Sequence, residues 1–272
     1  MKLSEVLFSY VLFAGTALAH PRARTTLEER VSNRASGRQT RPADIISEAT
    51  EVTETGNQTN VAYSTNWSGA VLTSPPAGTT FNGVSATFVV PTPKVPSGQS
   101  KSGTYSASAW VGIDGDTYQN AILQTGVDFT ISNGAVSYDA WYEWYPAQAF
   151  DFSGISISAG DSITVSVTST SSKAGKAVIT NNSKGKTVSK SLTSSAALGG
   201  QNAEWIVEDF ESNGSLVNFA NFGTVTFTNA VATTGSGSVG ASGADILDIK
   251  QSNTVLTSAA ESGSSVTVSY TG

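Results

Sequence analysis

The sequence contains no cysteine, and its single histidine is His20. Without cysteine the chain has no disulfide, no thiol nucleophile and no thiolate metal ligand. Every arginine lies before residue 42, so the chain from residue 60 onward has neither His, Cys nor Arg. This excludes a Ser-His-Asp triad, a Cys-His pair, a His-ligated zinc and an arginine clamp. The glycine motifs that bind phosphates or dinucleotides and the Asp-Thr-Gly pair of aspartic proteases are missing as well.

Carboxylates, amides, hydroxyls, lysines or an oxygen-liganded ion are therefore the only groups left for catalysis. From residue 60 onward the chain has more acidic residues than lysines and a net charge of −6. Charged residues are only 13% of the sequence, and Ser, Thr and Gly take their place. Few carboxylates means few groups whose protonation would unfold the protein, which is typical of a protein that works in acid.

The N-terminal region has two parts that differ from the rest. Residues 1–19 combine Lys2, an apolar run and small residues at Ala17 and Ala19, a pattern that predicts a secretory signal peptide and an extracellular protein. Residues 20–59 contain all the arginines and are interpreted as a basic propeptide that ends between residues 51 and 63. A disordered tail that stays attached is the alternative. No later segment is apolar enough to span a membrane.

Residues 60–272 are long enough for one domain with a core, and they alternate between apolar and polar residues almost throughout. Turn signals at Asn82-Gly83, Asp114-Gly115, Asn133-Gly134 and Asn213-Gly214 separate the segments. About a dozen short strands with close turns predict an all-β fold, an antiparallel two-sheet β-sandwich of jelly-roll or lectin-like type.

Several of these strands carry polar and aromatic residues on one face. In the segment AILQTGVDF, Gln124 and Asp128 share a face, opposite an ordinary apolar face. The same alternation aligns Trp110 with Gly112 and Asp114, Asp139 with Trp141, Glu143 and Tyr145, and Glu204 with Ile206 and Glu208. Neighbouring strands with such faces would form a groove of carboxylates, an amide and aromatic rings that suits an extended polymer.

Each of these residues also has an ordinary structural explanation. Carboxylates on one strand face are usually the solvated side of an antiparallel sheet, and the rings could cover an edge of the core. Asp114, Asp116 and Asp128 could form a calcium site. The residues by themselves leave two classes open, a carboxylate hydrolase and a jelly roll that binds or cleaves sugars.

Six segments resemble the glutamic peptidases, the eqolisins of peptidase family G1, which are acid proteases secreted mainly by filamentous fungi. They are TNWSGAVL, AWVGIDGDT, AILQTGVDF, YDAWYEWYP, GDSITVSV and NAEWIVEDFE, and they follow the family's order and approximate spacing from residue 60 to the C-terminus. The resemblance implies a sandwich of two seven-stranded antiparallel sheets. Relatives often carry disulfides, and this chain has Tyr118 of GDTYQ, directly after the second of these segments, where a cysteine can occur; this departure bears on stability and not on catalysis.

The resemblance also implies the roles of individual residues. The catalytic glutamine falls on Gln124, and the catalytic glutamate falls on Glu208 rather than Glu204. Residues that line the family's site, for substrate binding or support, fall on Trp67, Trp110, Asp114, Asp128, Glu143 and Tyr145. No metal and no cofactor are implied.

The expected protein is thus a secreted, pepstatin-insensitive acid endopeptidase, made as a zymogen. We expect polypeptide substrates, inhibition by its own propeptide and a monomeric state, with no nucleic-acid or membrane partner. A jelly-roll glycosidase or a carbohydrate-binding module is the alternative, because an aromatic groove with paired carboxylates such as Glu143 and Glu208 suits both.

Overall fold

A computed structural model describes residues 37–46 and 61–272. These residues form strands joined by turns, and none of them belongs to a helix that could cross a membrane. The strands are β1 (Arg38–Gln39), β2 (Ile45–Ile46), β3 (Val61–Ser64), β4 (Trp67–Leu72), β5 (Phe81–Val89), β6 (Thr104–Ile113), β7 (Ile122–Ser132), β8 (Ala135–Tyr145), β9 (Phe150–Asp151), β10 (Ser162–Ser171), β11 (Ala174–Asn181), β12 (Lys186–Thr193), β13 (Ala203–Glu208), β14 (Glu211–Ser212), β15 (Ser215–Leu216), β16 (Thr224–Thr234), β17 (Gly237–Gly240), β18 (Asp245–Gln251), β19 (Thr254–Val255), β20 (Thr257–Ser262) and β21 (Ser265–Tyr270).

Two large sheets carry the fold. One has ten strands in the order β2-β3-β18-β4-β13-β6-β7-β8-β9, with β19 paired to β18. The other has eight, in the order β12-β11-β10-β5-β16-β21-β20, with β17 paired to β16. The all-β prediction is confirmed, but the described sheets do not have seven strands each. Strand β2, which precedes residue 60, adds to the ten-stranded sheet, in which β3 pairs with β18 in parallel, while β1 pairs with β14 in a separate three-stranded sheet.

The core lies between the two large sheets and follows the period-two pattern of the sequence. On β7, Leu123, Val127 and Phe129 point into it, as the alternation of AILQTGVDF predicts. From the opposite sheet Phe88 and Phe227 meet edge to face, with ring centroids 5.5 Å apart. The other face of the ten-stranded sheet is therefore free to carry the polar residues of the same strands.

Two of the four predicted turn signals lie at hairpin tips. Asn133-Gly134 joins β7 to β8, and Asn213-Gly214 joins β14 to β15, each with positive φ at both residues. Asp114-Gly115 follows β6 directly and also has positive φ at both residues. The prediction for Asn82-Gly83 was wrong, because both residues lie inside β5. A Cβ at Gly83 would come within 2.4 Å of the Thr233 hydroxyl, so close side-chain approach from β16 explains that glycine.

Two carboxyl groups buried in the sandwich make its stability depend on pH. Burial raises the pKa of Asp209 to about 7 and that of Asp248 to about 6, against about 3.9 in an unfolded chain. A group whose pKa rises on folding stabilises the protein fully below its unfolded pKa. That contribution is lost as the pH rises through the folded pKa. The fold is therefore built for acid and loses stability between about pH 4 and pH 7.

We expect Asp248→Asn to reduce this loss, because the amide cannot ionise and its oxygen can still accept the hydrogen bond from the backbone N–H of Ala259. Urea unfolding at about pH 4 and about pH 7.5 should give a difference that is smaller than in the wild type by roughly 3 kcal/mol. Asp161→Asn is the control, because the pKa of Asp161 is lowered rather than raised by folding. Burial alone would raise this pKa, but hydrogen bonds from Lys184 and Asn181 outweigh the effect of burial. A pH-independent stability of the wild type would contradict the prediction.

Candidate active site

The outer face of the ten-stranded sheet carries a second buried cluster, separate from the core. Three tryptophans, Trp67 on β4, Trp110 on β6 and Trp141 on β8, form its floor and are fully buried. Trp67 and Trp110 meet edge to face at 4.9 Å. Ala43, from the segment before residue 60, packs into the same cluster. The aromatic groove predicted from strand alternation is thus present, with part of the N-terminal segment seated in it.

Gln124 lies in the middle of this face on β7. It pairs with Glu143 of β8 on one side and with Gly112 of β6 on the other. Its side chain is fully buried, and neither its oxygen nor its nitrogen has a hydrogen-bond partner among the described residues. Nearly all buried polar groups in proteins are paired, and an unpaired one is a mark of function or of a missing ligand.

Glu208 lies at the end of β13, on the same face, and pairs with Trp67 of β4 and Ser108 of β6. It is therefore two strands from Gln124 and offset along the sheet, with Trp110 between them. The indole N–H of Trp110 donates a hydrogen bond of 3.1 Å to Glu208 Oε2, and Oε1 has no partner within residues 37–46 and 61–272. Burial raises the pKa of Glu208 well above its ordinary value, although Arg38 and Thr40 act in the opposite direction.

Residues 37–46, which we call the strap, cross this face over both groups. The backbone N–H of Thr40 donates to Glu143 Oε2 at 3.1 Å, while the Thr40 side chain lies beside Glu208 and acts to lower the pKa of that carboxyl group. Thr40 itself is fully buried. One residue of the strap therefore lies against two carboxyl groups, Glu143 and Glu208, on either side of the strand that carries Gln124.

Arg38 anchors the strap in a pocket of opposite charge. Its guanidinium forms two hydrogen bonds of 2.6 Å with the carboxylate oxygens of Asp128 and lies over the Trp141 ring at 4.0 Å and the Phe210 ring at 4.5 Å. A paired, bidentate arginine between aromatic faces is among the stronger polar contacts in proteins. The same guanidinium lies 3.6 Å from Glu143, whose pKa burial nevertheless raises to about 8.

The other end of the strap is held by backbone hydrogen bonds. The indole N–H of Trp67 donates to the Arg41 carbonyl at 3.0 Å, and the Ala43 N–H donates to the Gly115 carbonyl at 2.9 Å. Beyond Arg38 the face continues as an open groove of about 460 Å³, lined by hydroxyl groups and by Asp128 and Asp139. The strap thus fills the middle of a longer groove.

The predicted site residues do not all meet. Gln124, Glu143, Glu208, Trp67, Trp110 and Asp128 contact the strap or lie directly beneath it, and Tyr145 packs against the same cluster at the end of β8. Asp114 differs, because its carboxylate accepts hydrogen bonds from the backbone N–H groups of residues 199–202. Any effect of Asp114 on Gln124 or Glu208 is therefore indirect.

The calcium hypothesis has no support from these contacts. The Asp114 carboxylate is occupied by backbone N–H groups and that of Asp128 by Arg38. Among residues 37–46 and 61–272 there is no group of three or more acidic, His or Cys side chains arranged to hold a metal ion.

The sequence patterns did not identify Thr40, Arg38 or Ser108 as part of this site. The first two lie in a segment whose basic character was the only signal, and it does not say which arginine docks. Ser108 accepts a 3.0 Å hydrogen bond from the Trp141 indole, and it would have been found from the alternation that includes Trp110. Phe210 shares the alternation of Glu208 but lies beyond the end of β13.

The class of protein with this all-β sandwich and groove is that of the peptidases. Residues 65–270 match the model of the Peptidase A4 family, and the chain belongs to this family, the glutamic peptidases or eqolisins. The resemblance noted in the sequence is therefore confirmed. Members of the family are hydrolases, and the chain is a glutamic endopeptidase.

Two characterised relatives illustrate the match. Aspergillopepsin-2 of Aspergillus niger is 46% identical over 286 aligned positions, which cover 99% of this chain and all of the relative. Scytalidopepsin B of Scytalidium lignicola is 46% identical over 223 positions, 79% of this chain and 81% of the relative. Both sources are consistent with the fungal origin expected of the family.

Solved structures agree with these sequence matches. Scytalido-glutamic peptidase with a transition-state analogue inhibitor superimposes with a TM-score of 0.68 at 44% identity, covering 76% of this chain and 98% of that chain. Aspergilloglutamic peptidase from Aspergillus niger gives a TM-score of 0.60 at 57% identity, covering 61% of this chain and 99% of that chain. None of these matches favours the alternative of a glycosidase or carbohydrate-binding module.

Proposed function

We propose that the protein is an acid endopeptidase in which Glu208 and Gln124 activate a water molecule for direct attack on a peptide bond. The observation that carries this proposal is that the side chain of Gln124 has no hydrogen-bond partner among the described residues. A carboxamide with both polar atoms buried and unpartnered faces the groove that the strap fills. An unpaired amide in such a position has a donor and an acceptor ready for groups that arrive with the substrate.

In this mechanism Glu208 is ionised first and accepts a proton from water as the water oxygen bonds to the peptide carbonyl carbon. The carbonyl oxygen becomes an oxyanion, to which the Gln124 NH₂ group donates a hydrogen bond. Glu208 then returns the proton to the peptide nitrogen, and the carbon–nitrogen bond breaks. The products are a carboxylic acid and an amine, and no covalent intermediate with the enzyme forms. Trp110 holds Glu208 throughout through its indole N–H.

The same carboxyl group links activity to acid. An exposed glutamate has a pKa of about 4.3, and burial under the strap raises the pKa of Glu208 well above its ordinary value. Departure of the strap opens the groove to water, so this pKa falls and the ionised form becomes available in acid. A residue that must serve as base and then as acid works best near its own pKa, and an acidic optimum follows.

The test of this function is digestion of a denatured protein by the purified enzyme at about pH 3 to 4, close to the pKa of an exposed glutamate. We expect new N-termini to form, with the same rate in the presence of a chelator or a pepstatin-type inhibitor. Loss of activity with chelator would indicate a metal enzyme, and loss with pepstatin an aspartic protease. Cleavage of a polysaccharide without proteolysis would favour the glycosidase.

We further propose that the chain is secreted as a monomeric zymogen, with residues 1–19 as signal peptide and residues 20–59 as propeptide. Most of both segments lies outside the described residues. The strap supports the inhibitory role, because it contacts Glu143 and Glu208 through Thr40 and hydrogen-bonds along the groove as a substrate would. Its removal would leave the catalytic domain of residues 60–272. Size-exclusion chromatography of the protein from the culture medium tests both secretion and the monomeric state.

The ion pair between Arg38 and Asp128 holds the strap in the groove. This bidentate pair is more than nine-tenths buried on both sides. A buried guanidinium without its partner is strongly unfavourable. Loss of this ion pair would therefore release the strap.

We expect Arg38→Ala to weaken this inhibition in the full-length zymogen by at least about 30-fold, because the buried ion pair is lost. Cleavage of a peptide substrate, followed while the pH is lowered in steps, should show that the variant becomes active at higher pH than the wild type. Arg41→Ala is the matched control, since Arg41 is half-exposed and its pair with Glu211 is worth little. Equal activation profiles for both variants and the wild type would contradict the inhibitory role of Arg38.

A further inference from the structure

Glu204 is a buried carboxyl group that the proposed mechanism does not use. It lies on β13, four residues before Glu208 and on the same face, and it is fully buried. Neither of its carboxyl oxygens has a hydrogen-bond partner among the residues that the structure describes. Glu143 and Glu208 both contact Thr40 of the strap, whereas Glu204 makes no hydrogen bond to it.

The strand register places Glu204 in line with Gln124. Gly112 of β6 pairs with Glu204 on one side and with Gln124 on the other. Because Gly112 has no side chain, the Glu204 carboxyl group and the edge of the Trp110 ring lie close above it. A Cβ at that position would lie 2.6 Å from Glu204 Oε1, 2.8 Å from Trp110 Cζ3 and 3.4 Å from Gln124 Cβ, so Glu204 Oε1 and Gln124 Cβ are no more than about 6 Å apart.

The two side chains have matching requirements. Gln124 has an unpaired donor and an unpaired acceptor, and a protonated carboxyl group has one of each. Burial, with Asp114 and Asp116 nearby, raises the pKa of Glu204 well above its ordinary value, so the group is neutral in acid. A water molecule between two such groups can donate to one and accept from the other.

We propose that Glu204 is a positioning residue for Gln124, and that its carboxyl group holds the carboxamide through one shared water molecule between the two side chains. The inference rests on the proposed function of Gln124. It explains why a carboxyl group is buried here without a partner and why Gly112 lies between the two residues. Glu204 acts from the side of Gln124 away from Glu143, so the amide is oriented without blocking the groove.

The test compares Glu204→Leu with Glu204→Gln. Leucine fills the space but cannot form hydrogen bonds, so Gln124 loses its orientation, and we expect kcat to fall by about 10- to 100-fold with little change in KM. Glutamine restores a donor and an acceptor at nearly the same size, and we expect it to recover kcat to within about threefold of the wild type. Asp248→Asn, a change to a buried carboxyl group outside the groove, is the control and should leave kcat unaltered.

Stability separates positioning from a purely structural role. Replacing a buried polar group that has no protein partner by an apolar one of similar size costs little stability or increases it. We therefore expect Glu204→Leu to unfold at the same temperature as the wild type or higher, while it is slower in catalysis. A wild-type kcat for Glu204→Leu, or a kcat for Glu204→Gln as low as that of Glu204→Leu, would overturn the inference.

Failure of the Glu204 proposal can be distinguished from failure of the proposed function. An active Glu208→Gln enzyme would contradict the catalytic mechanism itself, whatever the role of Glu204. An inactive Glu208→Gln enzyme together with a fully active Glu204→Leu enzyme would contradict only the positioning role of Glu204. Glu143 would then be the residue that orients Gln124. A high-resolution crystal structure of Glu204→Leu without the strap should show a rotated Gln124 carboxamide, and an unchanged orientation would count against the inference.

Discussion

Replacing Glu208 by glutamine is expected to lower kcat/KM for peptide hydrolysis in acid by about 10³-fold or more. The carboxamide has the same size, and its oxygen can still accept the 3.1 Å hydrogen bond from the Trp110 indole. It cannot take a proton from water, however, or return one to the leaving amine. Both proton transfers fail together, so the loss corresponds to about 4 kcal/mol or more of transition-state stabilisation.

The measurement is steady-state cleavage of a peptide at several acidic pH values, with circular dichroism to verify the fold. Glu261→Gln, a change of the same chemistry on β20 in the other sheet, is the matched control and should keep full activity. Burial of Glu208 without an ion pair predicts that its neutral replacement is at least as stable as the wild type near neutral pH. Activity above about a tenth of the wild type in Glu208→Gln would exclude it as the base.

Most of the fold follows from the alternation of single strands. The segment AILQTGVDF predicts which residues of β7 enter the core and which face outward, and Leu123, Phe129, Gln124 and Asp128 all lie as this pattern requires. The period of two is a property of the strand backbone itself, so it needs no knowledge of neighbouring strands. The same holds for Trp141 and Glu143 on β8, which face the groove while Trp144 enters the core.

Contacts between strands could not be predicted in this way. Which residues stand side by side depends on the register, and a sequence of similar strands allows many registers. The line from Glu204 through Gly112 to Gln124 joins β13, β6 and β7, which are far apart in the chain. Asp114 alternates with Trp110 and therefore suggested a groove residue. However, β6 ends just before Asp114, and Asp114 itself has a positive φ. Its carboxylate therefore points to the backbone of residues 199–202.

The strap shows a third limit of sequence patterns. The basic character of residues 20–59 led to their interpretation as a propeptide, and opposite charges attract such a segment to an acidic domain. Selection of Arg38 rather than Arg41 depends on a pocket assembled from Asp128, Trp141 and Phe210. These three residues come from β7, β8 and the end of β13, and no local pattern relates them.

Replacing Gln124 by alanine is expected to lower kcat by about 10²- to 10³-fold, the usual effect of removing one donor to a developing oxyanion. KM should change much less, because the donor acts mainly on the charge that appears in the transition state. The side chain has no hydrogen-bond partner among the described residues, so its removal should cost little in stability beyond the cavity that it leaves. Gln201→Ala removes an exposed carboxamide near Asp114 and is the matched control, with activity expected to stay at the wild-type level.

The double variant Gln124→Ala/Glu208→Gln decides whether the two residues act as one unit. If Glu208 activates a water that Gln124 helps to hold, then the second substitution has little left to remove, and the double variant should be about as slow as Glu208→Gln alone. Independent roles would instead multiply the two losses. Multiplied losses would mean that Gln124 stabilises the transition state independently of Glu208. Substantial activity in the single variant Gln124→Ala would mean that the Gln124 carboxamide, which is fully buried and unpaired among the described residues, has no part in the reaction.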